Sequence, residues 1–331
     1  MMRSVFIFLA LCYATLTNAQ PVTAVAEVIG KLNLGNAAPK DLLSTRSVVL
    51  HDHSFSEAEL HKAQEAFKEA GIDAIGYFEN DVVFAGKEVA RTHASYLASR
   101  EVSHLIFLTK KANIIAATIT AFNQKETFVD DNQPAWLVTD PSLIEVLGLI
   151  YRNALNNQEP KNFLINDQPE SGFDLNFIKG RRSPFFAIDL KVDNLAVPWF
   201  QDAEMDSILV RLFKTHYPLE YGFVTPADDD KDYRRQGFHY VLGYVHTRGE
   251  AARNILGYNV SETETAITSV TYPNGELKLK TISASTPVYK FYMKHIESGN
   301  VFLGTKWDAD IRWEDALRNY IKAFKAEIKI N

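Results

Sequence analysis

The sequence predicts an α/β (α+β) protein of two tandem, related small domains, each a mixed β-sheet with helices packed on it. Three observations carry that prediction. Short apolar or aromatic runs alternate with amphipathic helical segments along the 331 residues. A stretch rich in Asn, Asp, Gly and Pro, residues 157–184, interrupts the alternation near the middle. Finally, the last helix of one half can be set against the last helix of the other, position by position.

Composition sets the outer limits. With 46% hydrophobic and 23% charged residues the chain is ordinary globular material, long enough for two cores. Residues 1–19 carry Arg3, an apolar run over 5–14 and then Thr17-Asn18-Ala19 ahead of Gln20, the pattern of a secretory signal. The only cysteine, Cys12, lies in that run behind the bulky Leu11, which does not suit a lipid-anchor site. The mature chain is therefore expected to lack disulfides, a thiol nucleophile and cysteine-ligated metal, and to be exported, either periplasmic or extracellular. No later apolar run approaches the ~20 residues of a membrane helix, so the chain is not expected to span a membrane. Loss of Arg3 with the signal takes the net charge from -6 to -7, which argues against nucleic acid as a partner.

Residues 20–45 form a leader in which Val25, Val28, Ile29 and Leu32 suit a short helix before Gly35. The first domain is expected over 46–156. It opens with the buried-strand run 47–51, followed by a helix that Ser56 caps and Gly71 stops. A strand at 74–78 and a helix over 85–99 come next, the helix spaced through Val89, His93, Tyr96 and Leu97. Residues 104–108 and 114–122 read as a hairpin turned by Lys110-Lys111-Ala112-Asn113, with a further strand at 127–129. Asp140-Pro141 starts the closing helix.

The connecting segment, 157–184, holds Phe163, Leu164, Phe173, Phe177 and Ile178, so it is expected to pack on the fold. The second domain is expected over 185–331: a strand at 185–190, a helix over 202–216 with Met205, Ile208, Leu209, Leu212 and Phe213 on one face, and a strand at 219–224. A short polar helix at 228–236, a strand at 238–245 and a helical stretch at 250–256 follow. Residues 265–272 and 277–283 form a hairpin turned at Pro273-Asn274-Gly275, an insertion of about 259–286 relative to the first half. Residues 288–331 then close the chain as strand, turn, strand and terminal helix.

The repeat rests on the closing helices. Setting Leu147 on Leu317 matches Leu143 with Trp313, Val146 with Ala316, Ile150 with Tyr320, Tyr151 with Ile321 and Ala154 with Phe324, apolar against apolar throughout. The lead-in strands align Leu105 with Tyr240 and Ile106 with Val241, and the turn at 124–126 falls opposite 297–299. This element order resembles small periplasmic domains such as the amino-terminal domain of the TolB translocation protein and the outer-membrane lipoproteins that activate cell-wall synthases. The resemblance is topological, and it transfers no site residue and no activity.

Chemistry is sparse. His51-Asp52-His53 stands at the carboxyl end of a strand, where positions i and i+2 share a face and two imidazoles could meet one metal ion; no third ligand is evident, and no cofactor is assigned. Asp228 to Asp232 lacks the central Gly and alternating ligands of a calcium loop and reads as a helix-capping turn, as do Asp308 and Asp310 ahead of the last helix. Asn259-Val260-Ser261 matches a glycosylation acceptor, which chance alone accounts for. Gly-x-Ser-x-Gly, a phosphate-binding loop and His-Glu-x-x-His are all absent. Trp199, Tyr217, Tyr221, Tyr233 and Tyr258 fall among polar residues, where exposed rings favour protein or carbohydrate contacts and buried ones serve the core. The function expected is a non-enzymatic binding or assembly protein of the cell envelope, with a protein or envelope component as partner. The alternatives are a secreted hydrolase on glycan or peptide, metal-assisted at His51 and His53, and a small-ligand-binding protein with its site between the halves.

Overall fold

The structure is a computed structural model that describes residues 24–156, 161–162, 164–171, 175–258 and 264–329. The segment 1–19 expected as a signal, with Cys12, the aromatic pair Phe163 and Phe173, and the acceptor pattern at Asn259 lie outside the described residues.

In chain order the first half consists of α1 (Ala24–Gly30), β1 (Leu32–Gly35), β2 (Arg46–His51), α2 (Glu57–Ala70) and β3 (Asp73–Glu79). It continues with α3 (Asn80–Val83), α4 (Lys87–Ser99), β4 (Val102–Lys111), β5 (Ile114–Ala121), β6 (Gln133–Asp140) and α5 (Leu143–Asn156). The second half runs β7 (Arg182–Ser183), β8 (Leu195–Pro198), α6 (Ala203–His216), β9 (Tyr221–Val224), α7 (Asp230–Arg235) and β10 (Tyr240–Arg248). Then come α8 (Gly249–Ile255), β11 (Ala266–Thr271), β12 (Lys278–Ser283), β13 (Pro287–His295), β14 (Val301–Phe302) and α9 (Trp313–Ile328).

These strands form two six-stranded mixed sheets, ordered β1-β6-β5-β4-β2-β3 and β7-β14-β13-β10-β8-β9. Every neighbour relation in one is repeated in the other. The β2–β3 and β2–β4 pairs are parallel like β8–β9 and β10–β8, the next two ladders are antiparallel, and each edge strand β1 or β7 joins in parallel. The halves are therefore related, and the helix alignment holds to the residue: Leu143 opens α5 where Trp313 opens α9. The matched positions are buried in both helices, except that Tyr151 is half-buried. Between β10 and β13 the second half adds α8 and the β11–β12 hairpin, whereas β4 and β5 are joined by a two-residue turn with Ala112 in the left-handed region.

Three local expectations are corrected. Residues 185–190 are not a strand: Phe186 and Leu190, one helical turn apart, point into the core beneath α9, a short 3-10 turn starts at Ile188, and the strand is β8. The strand expected at 127–129 is instead β6, eight residues that Pro134 disguised. The lead-in register is off by one residue, because Ile106 and Leu108 face the α2/α5 core as Tyr240 and Leu242 face the α6/α9 core. A one-residue slip exchanges the faces of a strand, so Ile106 corresponds to Tyr240.

Apolar packing explains the layers. One face of the first sheet buries Val49, Ile106 and Ile119 against α2 and α5; the other buries Leu50, Phe107 and Ala135 against α4 and its neighbours. In the second sheet α6 and α9 cover one face. The opposite face carries the short α7 and α8 with Phe177, Ile178 and Ile282, and α4 of the first half reaches it with Val89, so one helix serves both sheets. The approach is close: a Cβ on Gly86 would lie 2.6 Å from the carbonyl oxygen of Tyr244, and the His246 amide donates to Ala85 O at 2.6 Å. The connecting segment also packs. Glu170 exchanges backbone hydrogen bonds with Ile75 and Tyr77 along the outer edge of β3, and Phe177 and Ile178 are buried, while Leu164 is exposed.

Candidate functional site

A cleft of about 1210 Å³ runs between the halves. Its position follows from the topology. β2 and β3 are parallel and both end at the cleft, His51 and Glu79 being their last residues, so the site lies outside the carboxyl ends of strands. One wall is α2 with His61, Gln64 and Lys68, and the facing wall is α8 with Glu250, Ala251 and Asn254.

The walls are held by polar contacts. Tyr77 Oη donates to Gln64 Oε1 at 2.9 Å, and Gln64 Nε2 donates to Asn166 O at 3.0 Å, which ties strand, helix and connecting segment together. Arg248, largely buried, pairs with Glu79 and Asp81 and so links the second half to the first across the cleft. The wall carries five carboxylates, Glu57, Glu65, Glu79, Asp167 and Glu250, against the two cations Lys68 and Arg248.

His51 is buried on the cleft wall, with Nδ1 3.0 Å from the carbonyl oxygen of Asp52. A carbonyl only accepts, so Nδ1 carries the proton and Nε2 is the acceptor. Burial lowers the pKa of the ring and keeps it neutral, outweighing the nearby Asp52 and Asp81. The expectation that His51 and His53 share one strand face does not hold: β2 ends at His51, and His53 lies exposed in the turn beyond it. Among the described residues no group of three or more His, Cys, Asp and Glu side chains is placed to hold a metal ion.

Asp52 seals the sheet. Its Oδ2 accepts the Lys110 amide at 2.6 Å, its Oδ1 accepts Asn80 Nδ2 at 3.2 Å, and its own amide donates to Leu108 O at 3.0 Å. Together these close the gap between β2 and β4. Lys110 Nζ reaches on to Glu59 at 2.8 Å and holds that carboxyl down at about 2, while Glu59 completes the Ser56 capping box of α2.

Other sequence candidates take different roles. Asp229 caps α7, Asp232 pairs with Arg235 and Asp230 pairs with Lys294. The capping role expected of Asp308 and Asp310 is corrected: α9 has Arg312 at its N-cap with no side-chain cap. Asp310 pairs with Lys280 at 2.5 Å, and Asp308 is fully buried with Lys290, Nζ to Oδ1 2.7 Å, off the hydrogen-bonding direction. Lys290 also donates to Leu303 O at 2.7 Å and lies over the Tyr320 ring. Burial lowers the Lys290 pKa and raises that of Asp308. The sequence hides such a pair, since its members lie on β13 and in the loop before α9 without any fixed spacing.

The fold and cleft define a class, a two-sheet α/β protein with a polar groove between related halves. No protein-family model matches the chain, and no curated protein is detectably similar to it. No described helix is long and apolar enough to cross a membrane.

Proposed function

We propose that the chain is an exported, non-enzymatic binding or assembly protein of the cell envelope, and that it receives an extended, positively charged segment of a protein partner in the cleft. One observation carries this reading: a groove of about 1210 Å³ whose walls come from both halves. That volume exceeds the roughly 300–1,000 Å³ of small-molecule pockets. The surplus of carboxylates favours cations, because a like-signed groove concentrates its counter-ions and speeds encounter. The signal pattern at 1–19 supports export, and on this reading the two domains are built on 46–156 and 185–331, each completed by an edge strand from outside those bounds, β1 from the leader and β7 from the connecting segment. The test is titration calorimetry with a lysine-rich decapeptide and its glutamate-rich counterpart. Saturable binding of the first alone is expected, weakened by salt and at least tenfold by the double change Glu65→Lys, Glu250→Lys. A folded protein that binds neither peptide ends the reading.

Hydrolysis is the second reading, favoured by one detail: His51 Nε2 is an unprotonated acceptor on the cleft wall, as a general base requires. Peptide or glycan turnover that is unchanged in His51→Ala would remove it.

A further inference from the structure

The second sheet has the same strand order as the first, but the gap at its carboxyl ends is not sealed. β8 leads through α6 to β9 on one side and has β10 on the other, so the chain reverses direction across the β8/β10 boundary. Open α/β sheets place ligands at such a boundary. The ladder there is short. Only Leu195 and Ala196 pair with β10, and β10 runs on through Leu242, Gly243 and Tyr244 without β8 beside it. A pocket of about 240 Å³ fills the opening.

Six aromatic side chains, Trp199, Phe200, Tyr233, Tyr244, Phe291 and Tyr292, line it, and several are held in place before any ligand arrives. Trp199 stacks on Phe223 with ring centres 4.5 Å apart, and its amide donates to Val224 O at 3.0 Å. Phe200 packs on Trp313 at 4.8 Å, and its amide donates to Asp206 Oδ1 at 2.7 Å. Tyr233 Oη accepts the Ala227 amide at 2.7 Å, fixing the loop after β9. Gln201, which ends the aromatic loop, holds a left-handed φ of 65°. A non-glycine residue in that region is strained, and such strain gathers where a loop must keep one shape. Gly243 is required on the floor: a Cβ there would lie 2.5 Å from the Tyr292 ring.

One end of the pocket is ionic and comes from both halves. Lys294 bridges Glu88 of α4, at 2.5 Å, and Asp230 of α7, and Lys87 Nζ donates to Ala227 O at 2.9 Å. Two cations and two carboxylates balance, so this end offers donors and acceptors without selecting for net charge. An apolar cavity of roughly 150 Å³ accommodates benzene. The 240 Å³ here suits one ring or two fused rings.

We infer that this pocket is a binding site for a flat aromatic molecule of one or two rings, its rings among Trp199, Phe200 and Tyr244 and its polar group at the Lys294–Glu88–Asp230 cluster. Rigid aromatic walls favour offset or edge-on contact with a planar ring over an aliphatic body of equal volume. Prior ordering also limits the entropy lost on binding. The site is separate from the cleft and does not depend on its ligand.

The experiment is titration calorimetry of the full chain with indole, tryptophan, phenol and, as the aliphatic control, cyclohexanol. Saturable binding of at least one aromatic probe is expected, at least tenfold tighter than cyclohexanol. Ala227→Trp, which fills the pocket from its rim, should lower that affinity at least tenfold while its circular dichroism spectrum and urea midpoint stay those of the parent, which reports a folded variant. If Ala227→Trp does not fold, Ala227→Leu serves in its place. No saturable binding of any aromatic probe, equal binding of cyclohexanol, or unchanged affinity in a folded, filled variant would each overturn the inference.

Discussion

The two carboxyl-end boundaries differ where the two sheets are otherwise alike. In the first half Asp52 bonds to the Lys110 amide and to Asn80 and closes the space between β2 and β4. In the second, the corresponding loop is Trp199-Phe200-Gln201, which offers rings and leaves a pocket. The same scaffold thus carries a sealed end and an open one. Strand order is set by core packing, which both halves share, whereas a ligand site is set by the few residues that follow each strand. The sharing of α4 shows the same division of labour: α7 has six residues, too few to cover the second sheet, and the first half supplies the missing cover.

The largest effect should come from the helices that close the two cores. Leu317 is fully buried in α9 and Leu147 nearly so in α5. A carboxylate at either place would be buried without a partner, at a cost of several kcal/mol. Leu317→Asp should unfold the second half and Leu147→Asp the first. Hydrogen exchange followed by peptide mass spectrometry reads which sheet loses protection. Loss of both sheets in each variant would show that the shared α4 couples the halves into one cooperative unit.

How far the sequence led follows from the same helices. Their 3.6-residue periodicity is a local signal, so the match of Leu143 with Trp313 and of Leu147 with Leu317 could be made without coordinates. Edge strands β1 and β7 gave no such signal, because their partners β6 and β14 lie about a hundred residues away in the chain. β6 was obscured by Pro134, tolerated near a strand start although it donates no hydrogen bond. Both cavities draw on residues from each half, Lys87 to Lys294 in one case, and no spacing rule joins such positions. Of the histidines singled out, His51 does line a cavity, but its strand ends before His53.

The buried Lys290–Asp308 pair sharpens the comparison, since Lys290 is the only lysine among the buried described residues. Lys290→Met leaves a carboxylate alone in the core and should cost about 3–5 kcal/mol, and Lys290→Met with Asp308→Leu should recover most of that loss. Urea denaturation of the single and double variants measures both. A single variant as stable as the parent would mean that the pair contributes no stability.

Acid should weaken the junction between the halves. His246 stacks on Tyr289 at 3.8 Å, and burial lowers its pKa to about 4, so the folded state holds it neutral. Between pH 6.5 and about 4 the unfolded chain binds a proton that the folded chain refuses, and stability falls as pH falls through that window. At 1.36 kcal/mol per pH unit the full loss is about 3 kcal/mol. His51 and His104, both lowered by burial, act in the same direction in the first half. His246→Phe keeps the stacked ring and should flatten the pH dependence of the denaturation midpoint; an unaltered slope would place the acid sensitivity elsewhere.

The smallest effect expected is the most direct probe of the sealed end. Asp52→Ala removes the acceptor of the Lys110 amide and of Asn80 Nδ2, leaving two donors at a half-buried site. Because the turn is open enough for water to replace part of what is lost, the cost should be about 1–2 kcal/mol, without unfolding. The Lys110 amide should exchange at least tenfold faster, while amides inside β2 keep their protection through the parallel ladders to β3 and β4. If removing the seal makes the first half resemble the second, the variant should also gain weak affinity for an aromatic probe beside β2. Unchanged Lys110 exchange would show that the backbone bond from Asp52 to Leu108 already closes the gap. Fast exchange without any gained affinity would show that opening the boundary is not enough, and that the rings of the Trp199 loop make the pocket.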